Sequence, residues 1–104
     1  LHQREPYRKL GAWLVHTWKG VWVEMVNRAL SSLAIGDEAV VCGIEADVDT
    51  RWRMLDLGLV PGTRVKVIRR SPLGDPVLYM FRGTAMALRN SDAERVRVTR
   101  VWEV

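Results

Sequence analysis

The N-terminal part of the chain, residues 6–30, carries apolar side chains at spacings of three and four positions. These positions are Tyr7, Leu10, Leu14, Trp18, Val21, Trp22, Met25 and Ala29. At about 100° per residue they fall on one broad stripe, which is typical of an amphipathic helix. Pro6 suits the first turn of a helix, because its missing N–H group needs no partner there. Gly11 and Gly20 weaken the prediction of one unbroken helix. We therefore predict an amphipathic helical extension over residues 1–30.

After residue 30 the apolar positions alternate with polar ones, and turn residues separate short apolar runs. In residues 63–68, for example, Val65 and Val67 are predicted to point inward and Arg64 and Lys66 outward. This alternation predicts strands over residues 39–44, 63–68, 77–81, 84–88 and 95–98. Short strands without βαβ alternation are typical of a small antiparallel barrel. We therefore assign residues 31–104 to one mainly β domain.

One short helix is predicted between the first two of these strands. It passes through Trp52 and Leu57, and either Asp47 or Asp49 is suited to cap its first turn. Gly58 supplies the left-handed residue that commonly ends a helix. We expect the turn residues around the helix and strands to shape the scaffold: Gly58, Pro61, Gly62, Pro72, Gly74 and Pro76.

The net charge of +4 suggests a nucleic-acid partner, but most of the excess lies outside the predicted barrel. Residues 1–30 hold five basic and two acidic residues, whereas residues 31–104 hold eleven basic and ten acidic ones. A nucleic-acid-binding domain concentrates positive charge on one face. The nearly neutral barrel sequence makes such binding an unfavoured interpretation, although Arg64, Lys66, Arg69 and Arg70 lie close together.

Composition favours an intracellular location. Cys42 is the only cysteine, so no internal disulfide and no multi-thiolate metal site can form. Lys19 interrupts the apolar N-terminal stretch, which argues against a signal peptide, and no run approaches the ~20 apolar residues of a membrane span. Trp13, Trp18 and Trp22, among basic residues, leave contact with a membrane surface as an alternative to burial against protein.

Five motifs occur in a fixed order between residues 31 and 99. They are Ser32-Leu33 with Gly36-Asp37, the run Leu55-Asp56-Leu57-Gly58-Leu59-Val60-Pro61-Gly62, the run Pro72-Leu73-Gly74-Asp75-Pro76, Gly83 before Ala87-Leu88-Arg89, and Asp92-Ala93. In this order and spacing the motifs resemble the ferrous iron transport protein A (FeoA) family. The resemblance implies an SH3-like barrel and an accessory role in bacterial ferrous iron uptake.

The partner that the resemblance implies is the membrane ferrous iron transporter, which carries a cytosolic GTPase domain. A cytoplasmic location follows, with peripheral contact at the inner face of the membrane left open. Residues 1–30 have no counterpart in the family pattern. We expect the partner to contact the short helix and the following proline-rich turn through Trp52, Arg53, Leu57, Leu59, Leu73 and Asp75.

No pattern of catalytic residues is present in the sequence, and we predict that the protein is not an enzyme. The two histidines, His2 and His16, both lie outside the predicted barrel. Glu45, Asp47 and Asp49 alternate in one loop and offer oxygen ligands, but we expect a solvated, helix-capping loop rather than a metal site. Cys42 is expected to be a small buried residue of a strand. We predict no cofactor and no dedicated metal site, with weak transition-metal binding left open.

Two other classes of function remain as alternatives. SH3-like barrels also form the C-terminal domain of metal-dependent repressors of the diphtheria-toxin-repressor type, and this interpretation requires further domains upstream. The other alternative is a structural protein that forms homo-oligomers through its N-terminal helix.

Overall fold

The computed structural model describes residues 15–18 and 20–103, with side chains described for residues 20–102. The elements in chain order are β1 (Val15–Trp18), β2 (Val21–Glu24), β3 (Arg28–Ala29), a 3₁₀ turn (Leu30–Ser32), β4 (Glu38–Ile44), α1 (Val48–Leu57), β5 (Arg64–Arg70), β6 (Val77–Phe81), β7 (Thr84–Leu88), α2 (Asn90–Ala93) and β8 (Val96–Glu103). No helix in this part of the chain is long and apolar enough to cross a lipid bilayer.

All strand pairs are antiparallel, and the strands follow the order β1-β2-β8-β4-β5-β6-β7, with β3 paired to β8 as well. The strands predicted for residues 31–104 are confirmed, and β8 continues to Glu103, beyond the predicted end at residue 98. The fold class of this domain is therefore the predicted one: mainly antiparallel β, with α1 as its one helix longer than a single turn in the described part of the chain.

The core lies under β4 to β8 and consists of the inward-facing residues of these strands. In β5, Val65 and Val67 are buried while Arg64 and Lys66 are exposed, as the alternation predicts. The largest core side chains that are fully buried are Tyr79, Leu30, Leu33, Met54 and Leu59. Burial of these apolar surfaces is the main term that stabilises so small a domain.

The predicted N-terminal helix is wrong wherever this segment is described. Residues 15–18 and 21–24 form a β-hairpin, and residues 28–29 form a third short strand. Residues 6–14, which the prediction also covered, lie outside the described residues, as do His2 and Trp13.

Two local features favour the hairpin over the helix. The run Val21-Trp22-Val23 is β-branched and aromatic, which suits a strand. Gly20 adopts φ +82° in the two-residue connection between β1 and β2, a conformation that glycine tolerates and a helix does not contain. The decisive contribution is tertiary, because the extended end of β8 pairs with β2 and places Trp22 opposite Trp102.

A buried carboxylate joins this hairpin to the rest of the sheet. Glu24, the last residue of β2, is only 2% exposed. Its carboxylate accepts hydrogen bonds from Arg28 at 2.6 and 3.0 Å and from Arg100 at 3.1 and 3.4 Å. The guanidinium of Arg100 also lies 5.0 Å from the ring centroid of Trp102.

The charge state of Glu24 is set by two opposing effects. Burial raises the pKa of its carboxyl group, but the hydrogen bonds and positive charges of Arg28 and Arg100 outweigh burial, so the pKa lies below the ordinary value of 4.5. A folded-state pKa below the unfolded one means that the ionised group stabilises the fold above pH 4.5. This contribution is lost as the pH falls through the folded-state pKa.

We predict that Glu24→Gln lowers the free energy of unfolding by about 1–3 kcal/mol at neutral pH, because two arginines lose their charged acceptor. The difference from the wild type should shrink as the pH falls from 4.5 through the lower folded-state pKa, at which the native carboxylate itself becomes protonated. Denaturant unfolding across this pH range measures both effects. Glu94→Gln, at an exposed glutamate, is the control and should change little. A Glu24→Gln deficit that is independent of pH would contradict the ion-pair explanation.

We predict that Gly58→Ala destabilises the fold by about 1–3 kcal/mol, because residue 58 adopts φ +108° at the end of α1. A Cβ atom at this position would also lie 2.6 Å from Cδ of Arg82, so that side chain must move. Gly43→Ala is the matched control, since its φ is not positive and an added Cβ meets no atom within 4 Å. Thermal unfolding of both variants tests the prediction, and equal melting temperatures would contradict it.

Candidate partner-docking surface

Helix α1 is held in place at both of its ends by the residues that the sequence predicts. The Asp47 side chain accepts a hydrogen bond from the backbone N–H of Thr50 at 3.2 Å, so Asp47 rather than Asp49 is the N-cap. The hydrogen bonds at Thr50 hold the pKa of Asp47 below its ordinary value of 3.8. At the other end, Gly58 takes the predicted left-handed conformation and its N–H group donates to the carbonyl oxygen of Leu55.

The helix buries one side and presents another. Met54 is fully buried and Leu57 packs against the core as a half-buried residue. Val48 and Trp52, one helical turn apart and therefore on the same side, are 64% and 61% exposed. Two adjacent large apolar side chains that face solvent form a small exposed apolar patch, and such patches commonly mark a surface that a partner covers.

An ion pair connects α1 to the short helix α2. Nη2 of Arg53 lies 2.8 Å from Oδ1 of Asp92. Both groups are partly exposed, so the pair contributes little to the free energy of unfolding. Its main effect is to fix the position of the two helices relative to each other.

Asn90, the first residue of α2, connects this helix to the proline-rich turn at residues 71–76. Its backbone N–H group donates to Oδ1 of Asp75 at 3.0 Å, and its side-chain Nδ2 donates to the carbonyl oxygen of Gly74 at 3.1 Å. Within the turn, the N–H of Gly74 donates to Ser71 and the N–H of Ser71 to Pro76. These bonds hold Leu73, which is 95% exposed, at the tip of the turn.

Hydrogen bonds and the ion pair thus place α1, α2 and the turn in one continuous region, which we call the helix–turn surface. Its members are Val48, Trp52, Arg53, Asn90, Asp92, Leu73 and Asp75. This surface combines exposed apolar side chains with a backbone that hydrogen bonds and an ion pair hold in place. Such a surface suits protein recognition, because it loses little conformational entropy on binding.

The predicted contact residues fall into three groups. Trp52, Arg53, Leu73 and Asp75 are exposed, whereas Leu57 is half-buried. Leu59 is fully buried, so the prediction that its side chain is available to a partner is wrong. The physical reason is that the chain reverses at Gly58, and the N–H of Leu59 donates to the carbonyl oxygen of Met54, which turns the Leu59 side chain into the core.

Sequence reasoning missed three members of this surface. Val48 carried a usable signal, because it precedes Trp52 by four residues on the predicted helix. Asp92 belongs to one of the five motifs, but the sequence does not reveal which residue it pairs with. Asn90 lies in none of the motifs, and no sequence pattern marks it. The contacts of both residues join segments far apart in the sequence, which local patterns do not reveal.

The predicted turn residues occupy turns. Gly62 and Gly74 have φ of +93° and +86°, a region that other residues rarely adopt. Pro61 precedes Gly62 in a turn that a bond from the N–H of Thr63 to Val60 closes. Pro72 and Pro76 flank the tip of the turn at residues 71–76.

The acidic loop and the cysteine have separate environments. Glu45 lies 4.0 Å from Arg97, while Asp47 caps α1, so the carboxylates of this loop do not converge. Over the described part of the chain, no group of three or more His, Cys, Asp or Glu side chains is arranged to hold a metal ion. Cys42 is exposed, and the prediction of burial is wrong, because the alternation along β4 turns Val41 inward and Cys42 outward.

Comparison with known proteins identifies the scaffold. The family model described as "FeoA domain" matches residues 28–100. The Fe(2+) transport protein A/Fe(2+) transporter FeoB fusion protein of Porphyromonas gingivalis is 38% identical over 69 residues, which are 66% of this chain and 8% of that protein. The chain thus spans a small fraction of the length of this relative.

Solved structures agree with this match. The FeoA protein of Chlorobium tepidum is 40% identical, with 69% of each chain covered and a TM-score of 0.64. The zinc-complexed FeoA of Stenotrophomonas maltophilia, described as an SH3 domain protein, is 35% identical, with 67% of this chain and 87% of that chain covered and a TM-score of 0.60.

A manganese-dependent transcriptional repressor is 20% identical, with 71% of this chain and 41% of that chain covered and a TM-score of 0.64, a likeness that shows the fold alone. The family match runs from the start of β3 into β8 and includes the whole helix–turn surface, and the fold is SH3-like, as the resemblance implied. This chain belongs to the FeoA domain family.

Proposed function

We propose that this protein is a cytoplasmic, non-enzymatic accessory protein of bacterial ferrous iron uptake, which docks on the GTPase-bearing part of a membrane ferrous iron transporter and modulates it. The observation that carries the proposal is the Porphyromonas gingivalis relative, in which a transport protein A and the transporter FeoB are one fused chain. Fusion keeps two partners at a high effective concentration, which favours an interaction that is weak between separate chains.

The helix–turn surface is the part of this chain that best fits such a partner. Trp52 offers a large exposed aromatic group, and tryptophan is among the residues that most often dominate binding energy at interfaces. Leu73 projects from a turn whose backbone is fixed by Asn90. Arg53 and Asp75 surround these apolar groups with charge, as expected for the polar rim of an interface.

We predict that Trp52→Ala and Leu73→Ala each weaken binding to the purified cytosolic GTPase domain by about tenfold, because each removes an exposed apolar anchor. Calorimetric titration in both nucleotide states measures the affinity. Val26→Ala is the matched control: Val26 is 51% exposed but lies outside the family match, on the segment between β2 and β3. Absence of binding in both nucleotide states would refute the proposed partnership, and an equal loss in the control would refute the assigned surface.

We predict that Asn90→Ala weakens the same interaction indirectly, because it removes the side-chain bond to Gly74 that fixes the turn. Losing one such bond costs about 1 kcal/mol of local stability. Hydrogen exchange should therefore be faster at the amide of Gly74, which donates within the turn. Ser91→Ala, at an exposed neighbouring position, is the control. Unchanged exchange at Gly74 would show that the turn holds its shape without Asn90.

A further inference from the structure

Strand β7 forms one end of the sheet and has a free edge. It pairs with β6 on one side, through a two-residue connection in which Arg82 and Gly83 have φ of +56° and +76°. These dihedrals are typical of a type I′ hairpin turn, in which the two residues that flank the turn exchange hydrogen bonds. Hydrogen-bonded pairs alternate with non-bonded pairs along the hairpin. The N–H and C=O groups of Ala85 and Ala87 therefore point away from β6.

Nothing in the described part of the chain covers this edge. Within residues 15–18 and 20–103, no backbone hydrogen bond joins Ala85 or Ala87 to a segment other than β6, and both residues are exposed. Protein edge strands are commonly protected by charged residues, proline or a bulge. The sequence of β7, Thr-Ala-Met-Ala-Leu, contains neither charge nor proline, and its pairing with β6 is regular from Phe81–Thr84 to Val77–Leu88.

The surroundings of the edge are strongly basic. Between residues 63 and 91 the chain carries six basic residues and one acidic residue, Asp75. Arg64 pairs with Glu38, and Arg70 donates to the carbonyl oxygen of Leu33. The other four basic side chains form no ion pair within the described residues; they are Lys66, Arg69, Arg82 and Arg89.

These cations are placed around β7 in an ordered way. Arg82 precedes the strand and Arg89 follows it, so each end of the edge has an arginine. Across the sheet, Ala87 lies opposite Leu78, and Leu78 lies opposite Arg69. These three residues line one shallow cleft of about 470 Å³ on the outer face of the sheet. A side chain from a strand added beside Ala87 would point over this same face.

We propose that the free edge of β7 binds an extended, acidic segment of a partner protein. The segment pairs through its backbone with Ala85 and Ala87, and its carboxylates face Arg82, Arg89 and Arg69. Strand addition of this kind takes its affinity from main-chain hydrogen bonds and its specificity from alternate side chains. The paired edge lies on β7, outside the helix–turn surface, although the cleft beside it is also bordered by Pro72 and Pro76 of the turn. The proposal does not depend on the proposed function.

Charge and backbone chemistry select this occupant over two others. A second copy of the chain, paired edge to edge, would bring Arg82 and Arg89 of both copies together, and like charges at a pairing edge are destabilising. A nucleic acid would match the charge but has no alternating N–H and C=O groups to satisfy the edge. An acidic peptide satisfies both requirements.

The test uses the full chain and a short, capped peptide of alternating glutamate and valine, followed by amide NMR. We expect saturable binding that slows hydrogen exchange at Ala85 and Ala87. A peptide with lysine in place of glutamate should not bind. N-methylation of the alternate peptide residues that face β7 should abolish the protection of both amides, because the methyl groups remove the peptide donors to the β7 carbonyl oxygens and keep the two strands too far apart to pair. Equal binding by the N-methylated peptide would overturn the proposal, as would tighter binding of a single-stranded oligonucleotide.

Two sets of variants separate charge from backbone pairing. Arg82→Asn with Arg89→Gln should weaken peptide binding by about tenfold, since two flanking charges are lost; asparagine tolerates the positive φ at residue 82. Arg95→Gln, at an exposed arginine outside this region, should leave binding unchanged. Ala87→Pro should remove the edge donor at residue 87 without removing a β6 bond. Unaltered affinity in the arginine double variant would overturn the assignment.

Discussion

Strand β8 is the element on which the rest of the structure depends, because β2, β3 and β4 all pair with it. The strand contributes Val96 and Val98 to the core, and its far end extends past the family match to meet β2. The same strand therefore belongs to two structures at once. Its first half completes the FeoA-type barrel, and its second half attaches the N-terminal hairpin as two further strands of the same sheet.

The buried ion pairs of Glu24 with Arg28 and Arg100, which we call the Glu24 cluster, favour one position of the hairpin on β8. Arg28 and Arg100 both lie inside the family match, at its two ends, whereas Glu24 comes from the segment before it. A buried carboxylate is costly to desolvate, and the pair of guanidinium groups offsets that cost only when the hairpin lies in its observed register. The cluster consequently favours one register among those that the alternating pattern of β2 would permit.

The accuracy of the sequence predictions follows the range of the interactions involved. Strands β4 to β7 were predictable because alternation, turn glycines and prolines act within a few residues, and the caps of α1 at Asp47 and Gly58 are equally local. The hairpin was not predictable, since valines and tryptophans spaced by three and four satisfy a helical period as well. Pairing with the end of β8, some 80 residues away, decides between the two.

The candidate site follows the same division. The motif positions in α1 and in the turn at residues 71–76 were identifiable as turns and exposed groups, but the bonds that join them run through Asn90 and Asp92. Leu59 was misassigned because the motif fixes where the helix ends and not where the next side chain points. A recurrent sequence motif thus identifies a scaffold more reliably than it identifies which of its residues face solvent.

The net charge of a domain does not show where on its surface the charges lie. Residues 31–104 are nearly neutral, yet six of their ten acidic residues lie between positions 37 and 56, and six of their eleven basic residues lie between positions 64 and 89. Because β4 to β7 lie side by side in chain order, much of the separation along the sequence becomes separation in space, with the basic part around β5 to β7 and contact between the two parts at the Arg64–Glu38 pair. The field around a surface depends on this distribution and not on the total. A nearly neutral barrel can therefore present an unprotected, positively charged edge to an acidic partner while its other elements carry the compensating acidic groups.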